Sequence, residues 1–142
     1  ERSQMHVDLH EQNLKCGLTV SGHLSRSKTY DVLNQTHAVY LGMSQPEGMQ
    51  FVPGRVYDLL ASGRPIISNA DPTSEIARII TSTGNGRCYR SAEVDRASAY
   101  LRELAETALA GKLDISPRPA YAVPYGSRRQ AETLARLFEK LI

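Results

Sequence analysis

The chain has 142 residues, which is enough for one globular domain with a hydrophobic core and too few for two. Hydrophobic residues make up 41% of it, and none of its apolar runs approaches the roughly 18 residues of a membrane span. Its 17 basic and 15 acidic residues leave a net charge of +2, too close to balance to predict nucleic-acid binding. Because the polar N-terminus has no signal-peptide core, we expect a soluble, cytoplasmic protein of one domain, residues 1–142.

Helices and strands are predicted to alternate along the first part of the chain. The elements are a weakly amphipathic helix around Met5 and Leu9, a strand over 18–21, a helix begun by Ser25 or Ser27 that carries Tyr30 and Leu33, and a strand over 38–41. The strand over 38–41 is apolar along its length instead of alternating with polar residues. This pattern is typical of parallel sheets that helices cover on both faces.

The sequence predicts neither a metal site nor a disulfide. His6 and His10 are four residues apart on one face of the first predicted helix, a spacing that zinc ligands use. Asp8 belongs to another face and no third ligand is evident, so two exposed histidines are the favoured interpretation. Cys16 and Cys88 are far apart in the sequence, and we expect both thiols to be reduced.

The second half of the chain continues the alternation and then leaves the sheet. Its predicted elements are a turn at 71–73, a helix bearing Ile76, Ile79 and Ile80, a break at 84–86, a strand over 87–89, an amphipathic helix from Val94 to Ala108, a proline-rich connector over 115–125 and a last helix over 127–142. We therefore expect an α/β fold with a doubly wound, Rossmann-like parallel sheet and extra C-terminal helices.

Four basic residues lie on the last predicted helix: Arg128, Arg129, Arg136 and Lys140. One interpretation is a surface that meets a partner domain or makes peripheral contact with an anionic membrane. The other is an ordinary solvated face, which is the commoner meaning of such charges. The sequence leaves both open.

The rest of the chain is organised around residues 45–68, QPEGMQFVPGRVYDLLASGRPIIS, which predict a loop, a short helix, a turn and a buried strand in that order. Val56, Leu59 and Leu60 recur at the spacing of a helix with one apolar face. The helix is predicted to end at Gly63, because glycine readily adopts the left-handed C-cap conformation.

The start of this helix predicts a phosphate-binding site. The backbone N–H groups of Gly54, Arg55 and Val56 are expected to be free at a helix N-terminus, beside the Arg55 guanidinium. Asp58, one turn further along, offers an acceptor-only carboxylate to the two hydroxyls of a ribose. The alternative is that Arg55 and Asp58 form a solvated pair on an exposed helix face.

The run GRVYDLLASGRPII, preceded by VP, resembles the P-(S/G)-K-(L/V)-(F/Y)-E-Y-(L/M)-A-(A/S)-G-(K/R)-P-(V/I)-(I/L) segment of GT-B glycosyltransferases, in particular glycosyltransferase family 4. LTVSGHLSRSKTYDVLNQTHAVYLGM before it and SNADPTSEIARIITSTGNGRCY after it are similar to the flanking elements of that family, so most of the chain is covered. The resemblance implies the C-terminal, nucleotide-sugar-binding half of a GT-B fold. It leaves open whether the first strand and helix of that half are lacking here.

The resemblance also implies which residues bind the donor. Two glutamates separated by seven residues contact the donor sugar and the ribose in the family, and Asp58 stands at the second of these positions. Gln50 stands at the first and Glu47 lies three residues too early, so the donor-sugar contact falls to one of these two. The other donor-binding residues implied by the match are Val52, Pro53, Gly54, Arg55, His23 and Leu24.

The implied activity is transfer of a sugar from a UDP- or GDP-type donor to a glycan or lipid acceptor, as in polysaccharide biosynthesis. The family retains the anomeric configuration, and the lack of an Asp-x-Asp motif implies a metal-independent enzyme without a cofactor. Because the reaction takes place between two domains, the resemblance implies an N-terminal acceptor domain in the same or a separate chain. We expect this chain alone to be inactive, and its catalytic residues are not identified by the match.

Two other functions stay open at this point. The first is a non-catalytic glycosyltransferase-like interaction module, or a subunit that completes another chain, which the departures at Gln50 and Asp58 favour. The second is a nucleotide-binding regulator of flavodoxin-like build. That fold needs a phosphate loop after the first strand, and residues 22–24, Gly-His-Leu, are poor in glycine for such a loop.

Overall fold

The computed structural model describes residues 22–43 and 51–140. The predicted helix around Met5, the strand over 18–21, and the candidate donor residues Glu47 and Gln50 lie outside these ranges. The chain divides into two compact units, Glu1–Asp31 and Val32–Ile142. All three strands of the described ranges belong to the second unit.

The described residues form five α-helices and three strands, which we number in chain order. They are α1 (Arg26–Gln35), β1 (Val39–Leu41), α2 (Arg55–Ser62), β2 (Ile66–Ser68), α3 (Glu75–Ser82), β3 (Gly86–Cys88), α4 (Val94–Leu109) and α5 (Ser127–Glu139). Two short 3₁₀ turns, Pro119–Tyr121 and Val123–Tyr125, occupy the predicted proline-rich connector. Within the described ranges the element types match the sequence predictions. The boundaries are shifted by one residue at β1, at β3 and at the end of α4, and α5 ends at Glu139 where the sequence predicted a helix to 142.

The three strands form one parallel sheet in the order β1-β2-β3. In register, Val39 lies beside Ile66, and Ile66 lies beside Gly86. The prediction that the strand over 38–41 runs parallel to the one over 66–68 is confirmed. An α/β fold with a small parallel sheet is therefore established, while the doubly wound Rossmann-like arrangement is a finer expectation that three strands do not decide.

One face of the sheet is closed by α2 and α3. Ile66 of β2 packs there with Val56 and Leu60 of α2 and with Ile76 and Ile80 of α3, all of them almost wholly buried. These residues recur at the three-and-four spacing that puts one stripe of a helix against a core. This cluster is the main hydrophobic core of the unit.

Among the described residues, α4 covers only part of the opposite face, so the prediction of a sheet covered on both faces stays a prediction. α4 packs Tyr100 and Leu104 against Ile67 and Tyr89. Beside α4, Tyr40 of β1 is 65% exposed and points over a groove of about 530 Å³. The sequence could not reveal this opening, because an apolar strand looks the same whether or not a helix covers it. The groove is lined in large part by apolar residues of β1, β2 and α4 and of the position just before β1: Ala38, Tyr40, Ile67, Val94, Ala97 and Leu101.

The helix boundaries follow from local chemistry. Gly63 ends α2 with φ +73°, and its N–H donates to the Leu60 carbonyl, as predicted for a glycine C-cap. Ser74 begins α3 by accepting a hydrogen bond from the Ala77 N–H, and Asp71 organises the preceding turn by accepting from the Thr73 N–H at 2.8 Å. The predicted turn at 71–73 is confirmed.

Two buried polar residues, Arg64 and Asn85, form hydrogen bonds that stabilise the amino edge of the sheet. Arg64 is 5% exposed, and its guanidinium donates to main-chain carbonyls at the end of α1, at the end of α2 and at Ile115. Asn85 is also buried and donates from Nδ2 to the Arg64 carbonyl at 2.9 Å. The connector that follows α4 is thereby held against the start of β2.

Candidate functional site

The N-terminus of α2 lies at the carboxyl edge of the sheet. Because β1 and β2 are parallel, the chain leaves β1 at that edge and α2 must run back toward the amino edge before β2 begins. In parallel α/β sheets, ligands bind at this edge. The topology thus places Gly54 and Arg55 where the sequence predicts them.

Within the described ranges, two backbone N–H groups of this helix end have no acceptor and could donate to a ligand. Gly54 is the N-cap and has ordinary helical angles, so the position needs no glycine for its backbone, but a Cβ there would meet nothing within 4 Å. The absence of a side chain at position 54 leaves this end of the helix open to a ligand. No described residue accepts a hydrogen bond from the Gly54 or the Arg55 N–H.

The expectation that the Val56 N–H is free is wrong. It donates to the Pro53 carbonyl at 3.0 Å, and the Tyr57 N–H donates to the Gly54 carbonyl at 3.3 Å. These bonds tighten the first turn toward 3₁₀ geometry and consume two of the donors that a regular N-terminus leaves open. The candidate anion site is therefore smaller than the sequence suggests.

Arg55 and Asp58 both lie on the first turn of α2. The Arg55 side chain is exposed, whereas Asp58 is half-buried. An anionic side chain at this end is stabilised by the helix dipole, which favours the placement of Asp58 whatever its function. Asp58 also interacts within the chain, so any ligand would share its carboxylate with that neighbour.

The remaining predicted site residues fall into three groups. Val52 and Pro53 are half-buried, and Val52 packs against the main core, which anchors the segment before α2. His23 is exposed and Leu24 is half-buried, and both belong to the first unit, Glu1–Asp31. Glu47 and Gln50, the two candidates for the donor-sugar contact, lie outside the described residues.

Asn69 holds the loops that follow β1 and β2 together, and sequence reasoning missed it. Its Oδ1 accepts from the Met43 N–H at 2.6 Å, and its Nδ2 donates to the Met43 carbonyl at 3.0 Å. The side chain thus imitates one more pair of strand hydrogen bonds beyond the end of β2. The signal in the sequence was an asparagine directly after a buried strand, which favours such main-chain bonding.

Charged side chains fill the part of this edge beyond β2 and β3. Hydrogen bonds from Thr73, and then the Arg90 guanidinium 2.9 Å away, lower the pKa of Asp71. The Arg90 N–H, and then Arg96, lower the pKa of Glu93. Both carboxyls are therefore anionic at neutral pH and hold no proton that they could donate to a substrate.

The described residues offer little basis for metal binding or for catalysis by a thiol. Among residues 22–43 and 51–140, no cluster of three or more histidine, cysteine, aspartate or glutamate side chains could hold a metal ion. The candidate ligands His6, Asp8 and His10 lie outside those ranges. Burial raises the pKa of the Cys88 thiol to about 11, which makes it a poor nucleophile.

No helix in the part of the chain that the structure describes has the length and apolarity needed to cross a membrane. Comparisons of the chain with protein-family models, with curated proteins and with solved structures found no match.

Proposed function

We propose that this chain is the donor-binding domain of a metal-independent, retaining glycosyltransferase of GT-B type, which holds a UDP- or GDP-sugar at the N-terminus of α2. The observation that carries the proposal is the position of this helix end. It starts at an unobstructed glycine, at the carboxyl edge of a parallel sheet, with Arg55 and Asp58 on its first turn.

The diphosphate would bind at the helix end. Two available N–H groups and the positive end of the helix dipole attract anions, and the exposed Arg55 guanidinium can close over the phosphates from the solvent side. In this arrangement the helix end and Arg55 together neutralise the charge of the diphosphate, as a divalent cation does in other nucleotide sites.

The ribose would bind at Asp58. A carboxylate has about four acceptor positions, so it can accept from two vicinal hydroxyls in addition to its interaction within the chain. Its half-buried position restricts the rotamers that compete with binding. The donor sugar would then lie toward the segment that holds Glu47 and Gln50, one of which supplies the contact that a glutamate makes in the family.

Loss of the Asp58 carboxylate is expected to weaken binding of UDP or GDP by about 1.5 to 3 kcal/mol, the usual value of hydrogen bonds to a charged group. Asp58→Ala should weaken uridine and UDP alike, because the ribose is common to both. Arg55→Ala should weaken UDP more than uridine, because Arg55 acts through the phosphates. Calorimetric titration of the wild type and both variants with each ligand measures these differences.

Asp95→Ala and Arg102→Ala are matched controls for these titrations, since both residues are exposed on α4 and are not part of the candidate site. Their affinities should equal that of the wild type. Equal affinities across the wild type, Asp58→Ala and Arg55→Ala would remove the proposed site, and so would a wild type that binds neither UDP nor GDP.

A non-catalytic interaction module is the second candidate, and the open groove between β1 and α4 favours it. Tyr40, Val94 and Leu101 present apolar side chains there that a globular domain normally covers. The two functions predict different results in the same titration, because an interaction module that has lost its donor contacts binds neither nucleotide.

A further inference from the structure

The last helix, α5, exposes an apolar stripe to solvent. Leu134, Leu137 and Phe138 occur at the spacing that puts them on one side of the helix, and they are 53%, 53% and 57% exposed. Every described residue from Gly126 to Lys140 is exposed, so α5 contributes nothing to the cores of the domain. Val123, in the 3₁₀ turn that packs against α5, adds a further apolar side chain that is 63% exposed.

The net charge of the chain resides on this segment. Residues 127–140 carry four basic and two acidic side chains, a net charge of +2, and the whole chain also has a net charge of +2. The rest of the chain is therefore electrically balanced. Glu132, one of the two acids, already accepts from Arg128 at 3.3 Å and from Arg129 at 3.5 Å.

The basic and apolar residues occupy different sides of α5. At about 100° per residue, Arg129, Arg136 and Lys140 flank the stripe formed by Leu134, Leu137 and Phe138 on its Leu137 side, and the two acids, Glu132 and Glu139, lie opposite the stripe. Arg128 lies between the two sides, and its side chain is 95% exposed. Long basic side chains of this kind extend along the helix and reach the phosphates of lipid headgroups while the apolar stripe enters the acyl region.

We propose that α5 lies in the plane of an anionic membrane surface, with Leu134, Leu137 and Phe138 inserted below the headgroups and the basic residues among the lipid phosphates. Charge complementarity selects this occupant over a neutral apolar protein surface, because docking the stripe on such a surface would bring the flanking basic side chains against it without counter-charges, whereas lipid phosphates supply them. A strongly amphipathic helix of low overall hydrophobicity, with Arg on one side and Leu and Phe on the other, is typical of helices at membrane interfaces. This inference does not depend on the nucleotide site.

The test is flotation of the purified full chain with two kinds of vesicle, one of phosphatidylcholine alone and one of equal parts phosphatidylcholine and phosphatidylglycerol. The chain should float with the anionic vesicles and stay behind with the neutral ones. Raising the salt concentration should release it, because surface electrostatics are screened. Arg129→Gln should weaken the partition coefficient for anionic vesicles roughly fivefold, the value of one basic residue at such a surface.

The double variant Leu137→Ser and Phe138→Ser should lose vesicle binding while its thermal midpoint stays at the wild-type value, since neither side chain belongs to a core. Leu109→Ser is the matched control, because Leu109 is 89% exposed at the end of α4, and its binding should be unchanged. Equal flotation with neutral and anionic vesicles would overturn the proposal. So would a chain that ignores both vesicles but forms a dimer that the double variant abolishes.

Discussion

Replacement of Arg64 by methionine is expected to lower the free energy of unfolding by about 3 to 5 kcal/mol. This loss of stability is larger than the loss of binding free energy expected from a substitution at the candidate nucleotide site. The side chain fills a buried position, and its guanidinium donates to five main-chain carbonyls, those of Leu33, Asn34, Thr36, Ser62 and Ile115. Methionine keeps much of the volume and removes every donor. These carbonyls, most of them partly buried, would lose a charged donor, which is costly for a polar group withdrawn from water, while the Leu33 carbonyl would keep the Thr36 donors.

The position of these carbonyls explains the size of the effect. Leu33 and Asn34 belong to the last turn of α1 and Thr36 follows it, and the end of a helix leaves carbonyls short of regular intrahelical donors. Arg64 Nε reaches the Leu33 carbonyl at 3.1 Å and the Thr36 carbonyl at 2.9 Å. A single cation therefore caps one helix, closes the turn after α2 and holds the connector that follows α4.

Urea unfolding followed by circular dichroism measures this loss. Arg102→Met on the exposed side of α4 is the matched control and should change stability by less than about 0.5 kcal/mol. Arg64→Lys keeps the charge but not the planar set of donors, and it should fall between the wild type and Arg64→Met. A stability of Arg64→Met equal to that of the control would mean that the carbonyls find other partners and that the guanidinium is dispensable.

Gly63→Ala is the second change with a large expected effect, about 2 to 4 kcal/mol. Gly63 has φ +73°, where an alanine is strained, and a Cβ added there would lie 1.9 Å from the Ser116 carbonyl oxygen. The obstacle is backbone, so the connector would have to move away. That movement would break the hydrogen bond from the Arg118 N–H to the Ala61 carbonyl, which is 2.8 Å long.

Gly111→Ala separates the two contributions to this loss. Gly111 has nearly the same backbone angle, φ +66°, but nothing lies within 4 Å of the added Cβ. Its substitution should therefore cost only the conformational strain, about 1 kcal/mol. Thermal unfolding of both variants gives the comparison, and equal losses would show that the approach of the connector to Gly63 contributes nothing to stability.

The parts of the fold that the sequence predicted are those governed by local chemistry. The apolar spacing of Val56, Leu59 and Leu60 defined α2, and the glycine at 63 defined its end, because both signals act within one or two turns of chain. The turn at 71–73 was predictable because an aspartate side chain readily accepts a hydrogen bond from the main-chain N–H two residues further along. The parallel pairing of β1 with β2 followed from a helix placed between two apolar strands.

The parts that the sequence did not predict depend on contacts distant in the chain. Arginine is usually an exposed residue. Arg64 becomes a buried donor because the end of α1, the end of α2 and the connector after α4 converge around its side chain. The bond from the Val56 N–H to Pro53 depends on how tightly the first turn of α2 closes, which residue types do not specify. The open groove beside Tyr40 depends on which elements cover β1, and an apolar strand carries no such information.

The most direct test of the nucleotide site is a titration of the isotope-labelled chain with UDP and with GDP, followed through its backbone amide resonances. Binding at the N-terminus of α2 predicts saturable shifts of the Gly54 and Arg55 amides, because their N–H groups would donate to the phosphates. The amides of α5 should not move. Amides of Gly54 and Arg55 that stay fixed at saturating nucleotide, or shifts confined to the groove between β1 and α4, would contradict the account.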